Sequence, residues 1–299
     1  MQFDRIYKLT VGIEGKDGVE LEGKPNSDGL DISFDIIKDL NQTTNKCKLL
    51  IRNLTSATAK KLEREDSVCI LEVGYSEDIG LRRIFVGIVL TAKTKIDGTE
   101  RICELEMADG HIAVRDTNVS LSYERNVSRK KAIDDVAVAM GLAVKYAEDC
   151  EFTNFANGFS FVGKGRNCLD KVCDGTGLNW SIQNNALQII KNGGTNKPYA
   201  ILLTAESGLI GFVERIVKGP KKTAKKKSSK GGSSEKKEKK EKKAGWKLQS
   251  LLNPTLSPGD LVKIETRDVT GWFKIESLRH TGQYRGSDWY TEMEVYEIK

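Results

Sequence analysis

Histidine is nearly missing from this chain: 2 residues, His111 and His280, in 299. Neither falls in an HExxH or HxxxH arrangement or beside paired cysteines, so the ligand spacings of a zinc site are absent. The 6 cysteines (Cys47, Cys69, Cys103, Cys150, Cys168, Cys173) form no CxxC pair. Cys47, Cys69 and Cys103 sit in apolar, strand-like runs, where a thiol behaves as a small hydrophobe. Reduced, buried cysteines in a cytoplasmic product is the reading they support. A GxxxxGK loop ending in Ser or Thr and a GxSxG elbow are also missing. Gly163, Lys164 and Gly165 in "FVGKGRNCLD" read as a turn feeding a helix rather than a phosphate cradle. Carboxylates are plentiful, but Glu104/Glu106 and Glu292/Glu294 stand at i, i+2 in strands, on one outward face. A glycosidase needs them opposed across a cleft. These absences point away from an enzyme, and they imply no cofactor and no metal.

Long apolar runs are missing too. No stretch approaches the roughly 20 apolar residues that cross a bilayer, so no membrane anchor is expected. The opening "MQFDRIYKLTVGIEG" does not read as a secretory leader.

Positive charge is abundant but unevenly placed. The net charge is +6, yet residues 221–243, "KKTAKKKSSKGGSSEKKEKKEKK", carry twelve lysines and three glutamates, or +9, leaving −3 for everything else. A nucleic-acid-binding fold normally carries its basic residues on a structured face; here they occupy one segment. Lys221, Lys222, Lys225, Lys226, Lys227 and Lys230 are the candidate contacts to nucleic acid or an acidic partner. The segment has too little apolar surface to offset its ordering entropy, so residues 219–245 are expected to form a disordered loop.

The remaining chain reads mainly as β-structure. Leu30, Ile32, Phe34 and Ile36 alternate with Asp31, Ser33 and Asp35, and Cys47, Leu49 and Ile51 continue a period of two. Thr55 caps a short helix through "SATAKKLER". "SVCILEVGY", "RIFVGIVLTAK" and "RICELEMAD" complete a small barrel or sandwich. From Asn118 the pattern changes. "SRKKAIDDVAVAMG" is a helix capped by Ser128, a second helix starts near Asn167, and "LNWSIQNNALQII" is a hairpin turning at its two asparagines. Beyond it, "GDLVKIET", "GWFKIESLRHT" and "WYTEMEVYEI" repeat the order of the earlier triplet. Each set begins with an acidic residue before a strand and ends with a strand alternating glutamate and apolar residues. Two similar barrels in one chain are expected. Aromatic residues concentrate in the last region: Trp246, Trp272, Phe273, Tyr284, Trp289, Tyr290 and Tyr296. They suit core and strand packing or a protein interface. Beside the lysine segment they also allow an alternative, a nucleic-acid-binding module with a stacking platform.

The ordered set "LDISFDIIKDLNQTTNKCKLLIRNLTSAT", "EVGYSEDIGLRRIFVGIV" and "MADGHIAVRDTNVSLSYERNVSRKKAIDDVAVAMGL" resembles the baseplate hub proteins of contractile phage tails, tailocins and prophage late control loci. The C-terminal region is similar as well, with Leu252-Asn-Pro254, Pro258-Gly-Asp260, Gly271 and His280-Thr-Gly282 in order. It departs in carrying Gln283 where many relatives have Asp. The resemblance implies a tube-like β-barrel at residues 1–117, an α+β domain at 118–198, and a second β-barrel at 199–299 interrupted by the lysine-rich loop. It further implies a structural, non-enzymatic homotrimer: a ring joining the sixfold tail tube protein to the threefold central spike protein, in contact with other baseplate proteins. Such a protein is assembled in the bacterial host cytoplasm and carried in the virion tail, where the lysines can meet passing DNA.

Overall fold

The computed structural model describes residues 4–13, 15–25, 29–64, 66–218 and 243–298. The first third of the chain forms β1 (Arg5–Gly12), β2 (Val19–Gly23), β3 (Ile32–Asp39), β4 (Lys46–Arg52), helix α1 (Ser56–Leu62), β5 (Val68–Tyr75), β6 (Arg82–Asp97) and β7 (Glu100–Ala108). Alternation turns Ile32, Phe34 and Ile36 inward, where they meet Tyr7, Leu9, Val11, Leu49 and Leu105 in one core. Thr55 caps α1 by accepting from the Thr58 N–H at 3.2 Å, as its residue type predicts. The strands lie in the order β3-β4-β7-β6-β5-β1-β2.

The middle of the chain forms α2 (His111–Asp116), β8 (Asn118–Tyr123), α3 (Arg129–Ala139), β9 (Ala143–Tyr146), β10 (Phe159–Lys164), α4 (Gly165–Cys173), β11 (Leu178–Gln183) and β12 (Ala186–Lys191). Ile133 and Val136 of α3 and Leu169 and Val172 of α4 share a second core with Trp180, Leu187 and Ile189. The Trp180 indole donates to Asp170 at 2.9 Å, so its polar edge is satisfied.

The last third forms β13 (Ala200–Leu203), β14 (Leu209–Lys218), β15 (Lys243–Leu251), β16 (Leu261–Glu265), β17 (Thr270–Gln283) and β18 (Trp289–Glu297) around a third core. Its strand order, β14-β15-β18-β17-β16-β13, matches β3-β4-β7-β6-β5-β1 strand for strand. The registers match as well. Lys48 faces Glu106 as Lys247 faces Glu294, and Val68 faces Ile88 as Leu261 faces Lys274. β6 is irregular between Val89 and Thr91, β17 between Ile275 and Ser277. Immediately before each irregularity the same hydrogen bond forms: Val89 N–H to the Ser67 carbonyl (2.9 Å), and Ile275 N–H to that of Asp260 (3.0 Å). The two halves differ where β1 runs antiparallel to β5 but β13 runs parallel to β16.

The halves are fused. Ser277–Gln283 of β17 pairs antiparallel with Ser33–Asp39 of β3, giving one 13-stranded sheet. Trp289 and Leu252 of the second half complete the first half's core, Trp289 standing edge-on to Phe34 at 5.3 Å. The Arg5 guanidinium donates to the carbonyls of Gln283, Gly286 and Ser287 at 2.9, 2.6 and 3.0 Å. That clamp holds the β17–β18 turn.

A buried polar joint fixes the middle lobe to this frame. Lys38 lies on the core face of β3, 2% exposed, and donates to the Asn184 side chain at 2.6 Å. The Asp109 carboxylate accepts from the backbone N–H groups of Asn184 and Asn185 at 2.6 and 2.7 Å and from Asn45 at 3.3 Å. Asn184 and Asn185 have φ of 52° and 59°, the doubly left-handed hairpin turn that asparagine tolerates. Burial pushes the Lys38 ammonium down to about 8, opposed by the nearby Asp109 charge. Burial likewise raises the Asp109 carboxyl, opposed by its backbone donors and Lys38. His280, in the adjacent row, is fully buried, and its Nδ1 lies 2.9 Å from the Thr291 hydroxyl. Burial first and then the Lys38 charge hold its imidazole well below the ordinary histidine range.

Two outcomes follow from this packing. A methyl group at Gly282 meets the ring of Phe34, which is itself 2% exposed. Gly282→Ala should destabilise by about 1–3 kcal/mol, seen as a lower urea midpoint at unchanged m-value. The His280 outcome is a pH effect. Unfolded His280 takes up a proton near about pH 6.5, while the folded protein keeps it neutral. Stability therefore falls as the pH drops below that value, and His280→Gln should abolish about 1–2 kcal/mol of the acid-side loss down to about pH 5, measured by urea titration.

Candidate assembly surface

On the outward face of the fused sheet, charges of opposite sign stand on neighbouring strands, although β6 also places Asp97 on this face, opposite Glu100. From one end the series runs Glu214 on β14, Lys247 on β15, Glu292 and Glu294 on β18, and Arg279 on β17. It continues with Asp35 on β3, Lys48 on β4, Glu104 and Glu106 on β7, and Lys93 and Lys95 on β6. The period of two puts them there, and in β3, β4, β7, β15 and β18 the intervening residues face the core. Several touch. Arg279 makes a two-pronged pair with Asp35, both contacts at 2.7 Å. Lys48 meets Glu104 at 2.7 Å, and Lys247 meets Glu292 at 3.6 Å. The hydrogen bond from Lys48 lowers the Glu104 carboxyl below its ordinary range, and Asp35 raises the Arg279 guanidinium. Exposed cross-strand pairs of this kind contribute about 0.2–1 kcal/mol each, too little to hold the fold. Their effect lies in selecting which strand may sit beside which.

Both ends of this face are open. β14 hydrogen-bonds to β15 and, among the described residues, to no other strand. β6 leaves β5 after Ile88, so among the described strands only β7 pairs with Thr91–Asp97, while the Thr94 hydroxyl donates to Glu63 at 3.3 Å. Leu90, Ile96 and Val217, at these two edges, are 45%, 75% and 58% exposed.

The glutamate pairs Glu104/Glu106 and Glu292/Glu294 thus lie on the outward face, at equivalent positions of the repeat. Lys221, Lys222, Lys225, Lys226, Lys227 and Lys230 lie outside the described residues, in the stretch that joins β14 to β15. Of the C-terminal aromatic residues, Phe273, Trp289 and Tyr296 are buried, Tyr284 packs against the first core, and Trp272 is 53% exposed under the Lys263 ammonium. No single stacking platform is assembled from them. Lys93, Glu214 and Arg279 were not singled out in the sequence, whereas Asp35 was read as an outward position of its strand. The two triplets aligned on their glutamate pairs place Arg279 over Thr91, because Lys93 precedes Glu104 by 11 positions and Arg279 precedes Glu292 by 13; only the strand registers bring Lys93 and Arg279 into equivalence. Among the described residues no three His, Cys, Asp or Glu side chains are placed to hold a metal ion, and no helix is long and apolar enough to cross a membrane.

No protein-family model matches the sequence, and none of the curated proteins is similar to it. Similarity appears at the level of the fold. The 43 kDa tail protein of prophage MuSo2 from Shewanella oneidensis superimposes with a TM-score of 0.64 at 11% identity, covering 97% of each chain. A tail protein from Neisseria meningitidis MC58 gives 0.63 at 11% identity, over 97% of this chain and 96% of that one. A type VI secretion component from E. coli, described as structurally similar to the T4 tail proteins gp27 and gp5, gives 0.60 at 10% identity, over 97% and 77%. The mainly-β chain with its α+β insertion has the fold of phage tail proteins.

Proposed function

We propose that this chain is the structural hub of a contractile tail baseplate, a homotrimeric ring that joins the sixfold tail tube to the threefold central spike. The observation that carries the reading is the internal repeat, two sheet halves with matched registers fused through β17 and β3. Three such chains around an axis offer six similar units to the tube above while keeping true threefold symmetry for the spike below. The tail-protein fold supports the same assignment. In this reading residues 1–117 and 199–299 build the ring, and residues 118–198 face outward or towards the spike and other baseplate proteins. The protein acts by assembly rather than catalysis, in a virion tail built in the host cytoplasm. The lysine segment, joining β14 to β15, serves as a contact for an acidic partner or for passing DNA.

Mass photometry and cryo-EM of the purified protein, alone and with its tail tube and spike proteins, should show threefold rings with six similar lobes. A protein that stays monomeric in the presence of both partners sinks the reading.

A further inference from the structure

Among the described residues Lys38 is the one lysine or arginine that is buried. Its Nζ has a single hydrogen-bond partner among them, the Asn184 side-chain oxygen at 2.6 Å. An ammonium carries three donors, and leaving two of them without acceptors in a core is costly. The amine and the amide it touches remove that cost if they react. We propose that Lys38 and Asn184 condense to an isopeptide bond, which ties β3 covalently to the tip of the β11–β12 hairpin. The bond lies within one chain, so the inference stands apart from the hub reading.

The step balances without an oxidant, a cofactor or a second substrate. The lone pair of the neutral Lys38 amine adds to Cγ of Asn184 and the Cγ–Nδ2 bond breaks. Nδ2 leaves as ammonia, taking one proton from Nζ. One carbon–nitrogen bond thus replaces another, and the chain loses a single NH3. A carbonyl bond is about 1.23 Å long, so Nζ lies at most about 3.8 Å from Cγ. Additions of this kind start from a separation of about 3–3.5 Å, a small side-chain rotation away. Asn184 Nδ2 has no hydrogen-bond partner among the described residues, so its departure breaks none. A surface cavity of about 410 Å³ is lined in part by Asn184 and gives the ammonia a way out.

The surroundings supply the neutral amine and hold its target still. The titratable groups acting on Lys38 are Asp109, just after β7, Cys47 on β4 and His280 on β17. Burial outweighs the Asp109 charge and brings the Lys38 ammonium down to about 8. Free amine is therefore present near neutral pH, the condition under which a desolvated lysine acts as a nucleophile. The Asp109 carboxylate accepts from the backbone N–H groups of both Asn184 and Asn185, so Cγ hangs from a pinned turn rather than a free loop. Condensation converts a buried three-donor cation into a neutral amide with one N–H. It joins positions 146 residues apart, one on the first sheet half and one on the middle lobe. A pull on that lobe then meets a covalent link at a point otherwise held by hydrogen bonds.

Mass spectrometry of the intact full chain, sprayed under denaturing conditions, reads the bond directly. Folded protein kept at about pH 8, where half of the Lys38 side chain is free amine, should weigh about 17 Da less than its sequence, the mass of one ammonia. A tryptic digest should yield a branched peptide joining Lys38 to Asn184. Asn184→Ala and Lys38→Met should each keep the full sequence mass and lose the branched peptide. Protein shown to be folded by circular dichroism that keeps its full sequence mass after prolonged incubation overturns the proposal. So does a mass loss that maps elsewhere, such as a succinimide at Asn157–Gly158 or Asn192–Gly193, or one that persists in either variant. Should a variant fail to fold, the parent's mass and its digest decide the matter alone.

Discussion

The architecture depends on a single strand changing partners. β17 runs fourteen residues, and its first part belongs to the second sheet half through β16. At the irregularity between Ile275 and Ser277 the strand is re-aimed, and its remainder belongs to β3. A bulge adds one residue to one strand, bends it and increases its twist, which lets one strand leave one sheet half and enter another without breaking its ladder with β18. The fused core follows from that hand-over. Trp289 begins β18 directly after the shared turn, so it falls beside Phe34 rather than in the core of its own half. The Arg5 clamp on the turn carbonyls reinforces the same point from the other side.

The two joints that hold the middle lobe show how a repeat becomes asymmetric. Ser67 and Asp260 occupy equivalent positions, each lending its carbonyl to the strand opposite, and both are buried. In the second half the residue is an aspartate, which accepts from Lys197 at 3.0 Å, from Asn196 at 3.3 Å and from the Ser257 N–H at 3.0 Å. Lys197 and Asn196 belong to the stretch leaving β12, so Asp260 anchors the exit of the middle lobe. Asp109 anchors the tip of its β11–β12 hairpin on the first half. Buried carboxylates of this kind are costly unless every lone pair is met, and both here are met by several donors. The result is a lobe held at two points by directional bonds, against two halves that are otherwise alike.

Much of this was legible in the sequence, and the reason is the period of two. Alternation marked β3, β4, β5, β6 and β7 and, in the last third, β16, β17 and β18, and Thr55 and Ser128 cap α1 and α3 as expected. The asparagine pair turns the β11–β12 hairpin as read. Short elements carry too few periods to stand out, so β2, β8, β9, β10, β13 and α2 were missed; β14 and β15, on either side of the lysine segment, were not read as strands, and α4 begins at Gly165, two residues before the expected start. Strand partners were not legible either. Alternation states which side chains face a core but not which core, so nothing in "TGQYRGSDW" reveals that Trp289 serves the first half. Lys38 misleads for a related reason, because its polar side chain continues the inward row of β3 and is paid for only by partners 71 and 146 positions away in sequence, Asp109 and Asn184.

The position of the lysine segment acquires a physical sense from the repeat. It joins β14 to β15, and the equivalent connection in the first half is the short turn from Asp39 to Lys46. That short turn is occupied: Asn45 donates to the carbonyl of Ile182 at 2.8 Å and to Gln183 at 3.0 Å, binding the middle lobe. A long insertion there would displace a buried joint. In the second half the strands flanking the segment are closed by their own ladder from Lys218–Lys243 onward. Lengthening a loop whose ends are fixed adds only about 0.6 kcal/mol for each doubling of its length. Segregating +9 of charge there also leaves the alternating face of the sheet undisturbed, and that face is where single charges choose their neighbours.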